Sequence, residues 1–259
     1  MTDLIRPSPI VPRRIEPFIS LWIETPRYLL KTVDQVSELT EVLKLRTQIF
    51  SSEYGISVAD QSFDVDPFDF QCDHLMIIER ATHAVIGTYR LLCSRFTHQF
   101  YSQTEFQMDE FINTPFVKLE LGRACIEPGH RRGAVISLLW RGLVQYAIRT
   151  DSTYLFGCSS VKTISFPMAR AIQLNLVSQA CASKDWSIRP LPHYEIPNFN
   201  SIEPAEQALP IPALFQSYLN AGAKIYGEPA FDPAFHCMDF LTILNVEEIS
   251  EAYERRYQR

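Results

Sequence analysis

The stretch KLELGRACIEPGHRR, Lys118–Arg132, decides how this chain folds. It begins as a strand. Side chains alternate faces along a strand, so Leu119, Leu121, Arg123 and Cys125 share one face. Lys118, Glu120, Gly122, Ala124 and Ile126 share the other. A plain core strand does not carry a glutamate and an arginine in its middle. Glu120 and Arg123 are three positions apart and so point oppositely. If they act together, a bulge must lie between them, and Gly122 is the natural place for it. Such a bulge frees backbone N–H groups near Ala124, Cys125 and Ile126. Pro128-Gly129 then ends the strand, and His130, Arg131 and Arg132 lead into a helix opened by Gly133 and Ala134. A helix start exposes N–H groups and positive dipole potential, and flanking arginines suit it to phosphate. A simple crossover turn with solvated arginines reads the same way, so the turn alone does not decide.

The pattern on either side is a mixed sheet with helices, that is, α+β or loosely α/β. DQVSELTEVLKLRTQIF reads as a helix with Asp34 as N-cap and Val36, Leu39, Leu43 and Phe50 on its apolar face. Arg46 lies on or beside that face and calls for a carboxylate partner. The next segment has no helical period. It carries Asp60, Asp64, Asp66, Asp69 and Asp73 interleaved with Phe63, Phe68 and Phe70, which suits a cover over an apolar pocket. HLMIIER and AVIGTYRLLC form an antiparallel hairpin. A short helix is expected within 104–112, a longer one over AVISLLWRGLVQYAIRT, a buried strand at YLFGCSSV and a helix at FPMARAIQLNL. The Pro-rich tract 190–212 is a connection; ALFQSYLNAGA is a helix, HCMDFLTILNV a strand and EEISEAYERRYQ a terminal amphipathic helix. Residues 1–28 form a Pro-rich arm, and 29–259 a single domain with an extension from about 190. The arm, with Arg6, Arg13 and Arg14 before Phe18 and Trp22, either packs on the body or offers a basic, apolar lip to a membrane or an acidic partner.

At 259 residues the chain can bury a sizeable core. Its formal net charge of -6 argues against a general nucleic-acid binder. The cysteines Cys72, Cys93, Cys125, Cys158, Cys181 and Cys237 are scattered, which gives neither a zinc knuckle nor a disulfide framework and fits a reduced, cytoplasmic protein. No signal peptide or membrane-spanning run is visible, and no His, Asp or Glu group has metal spacing.

A strand with a bulge, then a basic glycine-containing turn, then a helix resembles the acyl-donor site of the GCN5-related N-acetyltransferase (GNAT) fold. HRRGAVI keeps one glycine of that family's phosphate-binding turn, which suits a single-phosphate donor better than coenzyme A. LRTQIF, DVDPFDFQCDH, GTYRLL and ELGR resemble, in order and spacing, the acyl-homoserine-lactone autoinducer synthases. CDHLMI, FYSQTEF, ELGRACIEPGHR, LLWRGL, LFGCSS and YLNAGAKIYGEPAFDPAFHCMDFLTIL resemble still more closely the bacterial L-ornithine N(alpha)-acyltransferases of ornithine-lipid synthesis.

The resemblance implies transfer of a long-chain (3-hydroxy)acyl group from acyl-carrier protein to an amino acid, ornithine favoured, with no permanently bound cofactor. Another amine acceptor, or a catalytically inactive acyl-carrier or lipid-binding module, are the alternatives. Glu120 would be the base, or else an ion-pair partner of Arg123 or Arg46. Arg123 would orient Glu120 or hold the substrate carboxylate. Asp66, Asp69 and Asp73 would bind a second ammonium, or hold Arg46 and Arg90 in a structural network. Arg46, Phe50, His74 and Arg90 complete the expected substrate site. Ala124, Cys125, Ile126, Arg131, Arg132, Gly133 and Ala134 would take the pantetheine and its phosphate. Phe50, Phe63, Phe68, Phe70, Phe96 and Phe100 could line an acyl tunnel or belong to the core. Arg13, Arg14, Arg131, Arg132 and Lys162 would steer the acidic carrier. The single-chain product would leave into a membrane, so peripheral contact at the inner membrane is expected. Cys125 and Cys158 are read as inert small hydrophobes.

Overall fold

The computed structural model describes residues 15–55, 63–131, 133–180 and 186–249. Its centre is the hairpin read from the sequence. Strand β3 (Asp73–Glu79) pairs antiparallel with β4 (Val85–Cys93). Alternation along β3 sorts side chains to two faces: Leu75 and Ile77 go to one core cluster and Met76 to another.

Helix α3 (Gly133–Arg149) covers the first face with Leu138, Leu139, Trp140 and Leu143. Helix α1 (Val36–Tyr54) covers the second, packing Leu39, Val42 and Leu43 on Val33 and Met76. Each such side chain taken from water contributes about 1.5–3 kcal/mol. Gly142 lets α3 sit close, because a Cβ there would meet Leu30 Cδ1 at 2.8 Å.

The sheet has eight strands in the order β1-β2-β3-β4-β6-β7-β10-β9. These include β1 (Trp22–Glu24), β2 (Tyr28–Thr32), β6 (Lys118–Ile126), β7 (Tyr154–Val161), β9 (Lys224–Asp232) and β10 (Cys237–Asn245). All neighbours run antiparallel except β6 and β7, which α3 joins as a crossover. The remaining elements are β5 (Phe106–Gln107), α2 (Asp109–Ile112), α4 (Phe166–Ala180), β8 (Arg189–Pro190) and α5 (Ala213–Ala221). The short β5 and β8 pair with each other.

Several sequence expectations shift. Helix α1 is capped by Gln35 rather than Asp34, whose carboxylate takes Lys31 instead. The segment 104–112 is split between β5 and α2. Strands β1, β2 and β9 were not foreseen. The expected terminal helix, and Arg6, Arg13, Arg14, Asp60, Arg132 and Cys181, lie outside the described residues, save that 246–248 form a single 3-10 turn. No helix among the described residues is long and apolar enough to cross a membrane.

Candidate active site

The bulge exists, one residue later than expected. Across β4 and β6 the pairing passes from Thr88↔Cys125 to Arg90↔Gly122, so β6 carries one extra residue. The residue in the left-handed region is Arg123, at φ +49°, not Gly122. Such a backbone is costly for a residue with a Cβ and marks a site held by its surroundings. Beyond the slip the alternation reverses. Leu119 and Leu121, then Ile126, pack into the α3-side core, while Cys125 joins Leu45, Ile49 and Phe50 of α1. Glu120 and Arg123 are thereby brought to one cavity wall. Gly122 lies against the Arg90 guanidinium, whose Nε would stand 3.6 Å from an added Cβ, an ordinary contact distance.

Arg123 is fixed from behind by a closed ring of alternating charge. Arg46 reaches Asp64 at 2.7 Å and Asp69 at 2.6 Å. Asp69 reaches Arg90 at 3.3 Å, and Arg90 reaches Asp66 at 2.7 Å. Asp66 accepts from Arg123 at 3.1 Å, and Asp64 closes the ring 3.5 Å from Arg123 Nε. Burial opposes charge on Arg46 and Arg123; Asp69 and Asp64 outweigh it for Arg46, and the Tyr101 hydroxyl followed by Asp64 and Asp66 outweigh it for Arg123, so both are raised above the usual arginine value. For Asp69, burial favours the neutral acid, and Arg46 and Arg90 overcome it, holding the carboxyl well below the usual range. The Arg123 guanidinium also lies 4.6 Å from the centre of the Tyr101 ring and 5.1 Å from that of Phe235.

Glu120 is buried, and it pairs with neither Arg46 nor Arg123. Its Oε2 accepts from the Tyr101 N–H at 2.7 Å and its Oε1 from the Ser102 N–H at 2.6 Å. These two N–H groups start the 3-10 turn Tyr101–Thr104, so Glu120 caps it from another strand. Burial raises the Glu120 pKa, and the Ser102 hydroxyl and backbone only partly offset this. Each oxygen keeps a lone pair for another donor.

The cavity these residues line measures about 500 Å³. It opens where β6 and β7 part. Their parallel pairing ends at Glu120↔Phe156, so the β6 edge from Leu121 onward is free of β7. Gly157 sits at the parting point, where a Cβ would meet the Leu121 carbonyl oxygen at 2.3 Å. Ala124, Cys125, Ile126, Arg131 and Phe50 all line this cavity. Its apolar wall comes from Ile136, Leu139, Leu155, Leu214 and Phe215. Phe63 and Phe96 are exposed instead, and Phe100 packs edge-on to Phe156 in the core.

The other predicted residues fall elsewhere. Arg46, Asp66, Asp69 and Arg90 stand behind the wall, in the ring. Asp73 is bound to the N-terminal segment and α3, accepting from Phe18 N, Ile19 N and the Tyr146 hydroxyl. His74 is buried, which lowers its pKa to about 4 and leaves it neutral near pH 7. Gly133 and Ala134 are exposed at the start of α3. Arg131 donates to the Ile126 carbonyl at 2.9 Å and pairs with Glu53, whose carbonyl takes Lys162. Burial pushes Cys125 up to about 12 and Cys158 well above its ordinary value, so neither is a thiolate near neutrality.

Sequence spacing concealed two groups that the fold assembles. Asp69, Cys72 and His74 offer ligand atoms within 4.8 Å of one another, as do Asp232, Cys237 and Asp239. The first group already neutralises Arg46 and Arg90. Glu105, Asp232 and Asp239, none of them foreseen, also line the cavity.

A strand that bulges beside its parallel partner and opens a cleft there fits the GNAT-like fold expected from the sequence. The model of the acetyltransferase (GNAT) domain family matches residues 45–141. An L-ornithine N(alpha)-acyltransferase of Brucella abortus is 32% identical over 234 residues, covering 83% of each chain. One from Rhizobium meliloti is 28% identical, covering 85% of this chain and 81% of that one. An N-acyl amino acid synthase from uncultured soil microbes shares the fold at 12% identity and a TM-score of 0.50, over 87% of this chain and 95% of its own. The chain belongs to the L-ornithine N(alpha)-acyltransferase family and is an acyltransferase.

Proposed function

We propose that the chain moves a long-chain (3-hydroxy)acyl group from the phosphopantetheine thioester of acyl-carrier protein to the α-amino group of L-ornithine, yielding lyso-ornithine lipid. One observation carries this reading: Glu120 and Arg123 share the wall of an apolar cavity whose β6 edge is unpaired. An extended pantetheine arm can pair with that edge, as an added strand would. The acyl chain takes the wall of Ile136, Leu139, Leu155 and Leu214. Arg131 lines the cavity and is exposed, so it can meet the phosphate and the acidic carrier together with the start of α3.

The α-amine arrives protonated near pH 7. Glu120, directly or through water, removes one proton. The amine nitrogen attacks the thioester carbonyl, and backbone N–H groups of Ala124–Ile126 receive the oxyanion. The C–N bond forms and the C–S bond breaks. The nitrogen's second proton goes to the departing thiolate, leaving an amide and a free thiol. Arg123, anchored by its aspartates, holds the substrate carboxylate. The product carries one acyl chain, so weak contact with a membrane surface follows; flotation with anionic liposomes at low salt tests this, and no binding would exclude it.

The deciding experiment is mass spectrometry of lipids formed from the purified protein, 3-hydroxyacyl-carrier protein and a mixture of amino acids. N-acyl-ornithine as the dominant product supports the reading. A product on another amine moves the acceptor, and intact thioester with no product removes the catalytic reading.

A further inference from the structure

The reaction above leaves part of the cavity's charge unused. Glu105, Asp232 and Asp239 line one region of the wall and are all buried. Glu105 follows the Tyr101–Thr104 turn, Asp232 ends β9 and Asp239 lies in β10. Two of them have clear partners. Asp232 Oδ1 accepts from Ala234 N at 2.7 Å and Phe235 N at 3.1 Å, closing the β9–β10 turn. Asp239 accepts from the Ser160 hydroxyl and from the Cys237 thiol at 3.5 Å.

Glu105 has no such partner. It is 0% exposed, and neither carboxylate oxygen makes a hydrogen bond. The Tyr101 hydroxyl and the Cys158 thiol favour its charged form, but from outside bonding geometry. Burial first, and then the facing Asp239, push Glu105 well above the ordinary carboxylate range. A buried carboxylate without a donor is costly, and a second one facing it adds to the cost. A cation with several hydrogens would satisfy both.

We propose that Glu105, with Asp239 beside it, binds the side-chain ammonium of the acceptor amino acid. The proposal rests on the acyltransfer reading above and names the residues that select a diamino acid over a monoamino one. The Tyr101–Glu105 segment links the two ends of the substrate. Its first N–H groups hold Glu120, and its last residue supplies the carboxylate for the ammonium. The Cys158 thiol donates to the Ser102 hydroxyl of that segment at 3.5 Å. Arg123 on the same wall is left for the α-carboxylate. An ammonium has three donors and no acceptor, which is the complement of this pole. Asp232, Cys237 and Asp239 also offer ligand atoms within 4.8 Å of one another, so the test below separates an ammonium from a metal.

The test compares kcat/KM for L-ornithine and L-norvaline, which share a carbon chain but differ in the terminal amine, using acyl-carrier-protein thioester as donor. The wild type should prefer ornithine, chiefly through KM. Glu105→Gln, and separately Asp239→Asn, should lower the ornithine-to-norvaline ratio by about 10-fold or more, the value of a charge-assisted contact. A wild type that accepts both equally overturns the proposal, and needs no variant to fold. So does a folded Glu105→Gln protein with an unchanged ratio, or one that loses both substrates in proportion. Loss of the ornithine preference on EDTA treatment would hand the pole to a metal and also overturn it. Absence of any N-acylated product would remove the acyltransfer reading itself, an outcome distinct from these.

Discussion

Glu120→Gln separates anchoring from catalysis. The glutamate's two oxygens each accept one backbone N–H, at 2.7 and 2.6 Å. Glutamine offers one acceptor oxygen and an NH₂ group, so one of those N–H groups would face a donor. An unpaired buried N–H costs about 1–3 kcal/mol, and the surviving bond loses its charge assistance. The expected loss is therefore about 2–4 kcal/mol, read as a lower urea midpoint at unchanged slope. The 3-10 turn at Tyr101 should also exchange its amide hydrogens faster. Activity is a second axis. As a general base, Glu120 should account for about 100-fold or more in kcat, measured well below the melting temperature. A variant as stable as the wild type would refute the anchoring argument. A destabilised variant with full kcat would refute the base assignment and leave Glu120 a structural cap.

Asp69→Ala should destabilise the fold by about 3–5 kcal/mol, because Arg46 and Arg90 lose a buried partner at 2.6 and 3.3 Å; a midpoint within about 1 kcal/mol of wild type would show the ring to be dispensable. Gly157→Ala should cost about 1–3 kcal/mol and disturb the cleft by forcing β6 and β7 apart, since the new methyl would stand 2.3 Å from the Leu121 oxygen; normal activity with normal stability would contradict that approach. Iodoacetamide near neutral pH should leave Cys125 and Cys158 unmodified while the protein is folded, and rapid loss of activity traced to either thiol by peptide mapping would contradict it. Asp239 titrates at about 6 through burial, above its unfolded value near 3.9. Its neutral form is the one the fold favours. The stability it contributes is thus complete below the unfolded value and lost as pH rises through about 6. Melts across that window should therefore slope less in Asp239→Asn than in wild type, and parallel curves would refute the assignment.

The parts legible in the sequence were those governed by local periodicity. Alternation exposed the β3–β4 hairpin, and apolar spacing exposed α1 and α3. Strand β9 escaped because KIYGEPAFD carries Gly227 and Pro229, which normally argue against a strand. It is tolerated because β9 is the sheet's last strand and has an edge to spare. The bulge in β6 was legible as a requirement, since Glu120 and Arg123 could share a wall no other way, but its place was not. Glycine is the residue that adopts a left-handed backbone most cheaply, so local reasoning chose Gly122. The fold puts the strain on Arg123, whose side chain is tied to Asp64 and Asp66 and flanked by Tyr101 and Phe235. Tertiary charge pairing overrode a local preference of about 1–2 kcal/mol. The same logic explains the aspartates. DVDPFDFQCD looked like one acidic loop, yet Asp66 and Asp69 join the ring while Asp73 turns to Tyr146 and the N-terminal segment. Acidity close together in sequence was consumed by arginines, whereas the acidic pole of the cavity joins Asp232 and Asp239 of the β9–β10 hairpin to Glu105, which is distant in sequence. Charge left over after pairing is therefore a better guide to a substrate pole than charge density along the chain. By that measure the site proposed for the acceptor's second amine falls beside Glu105.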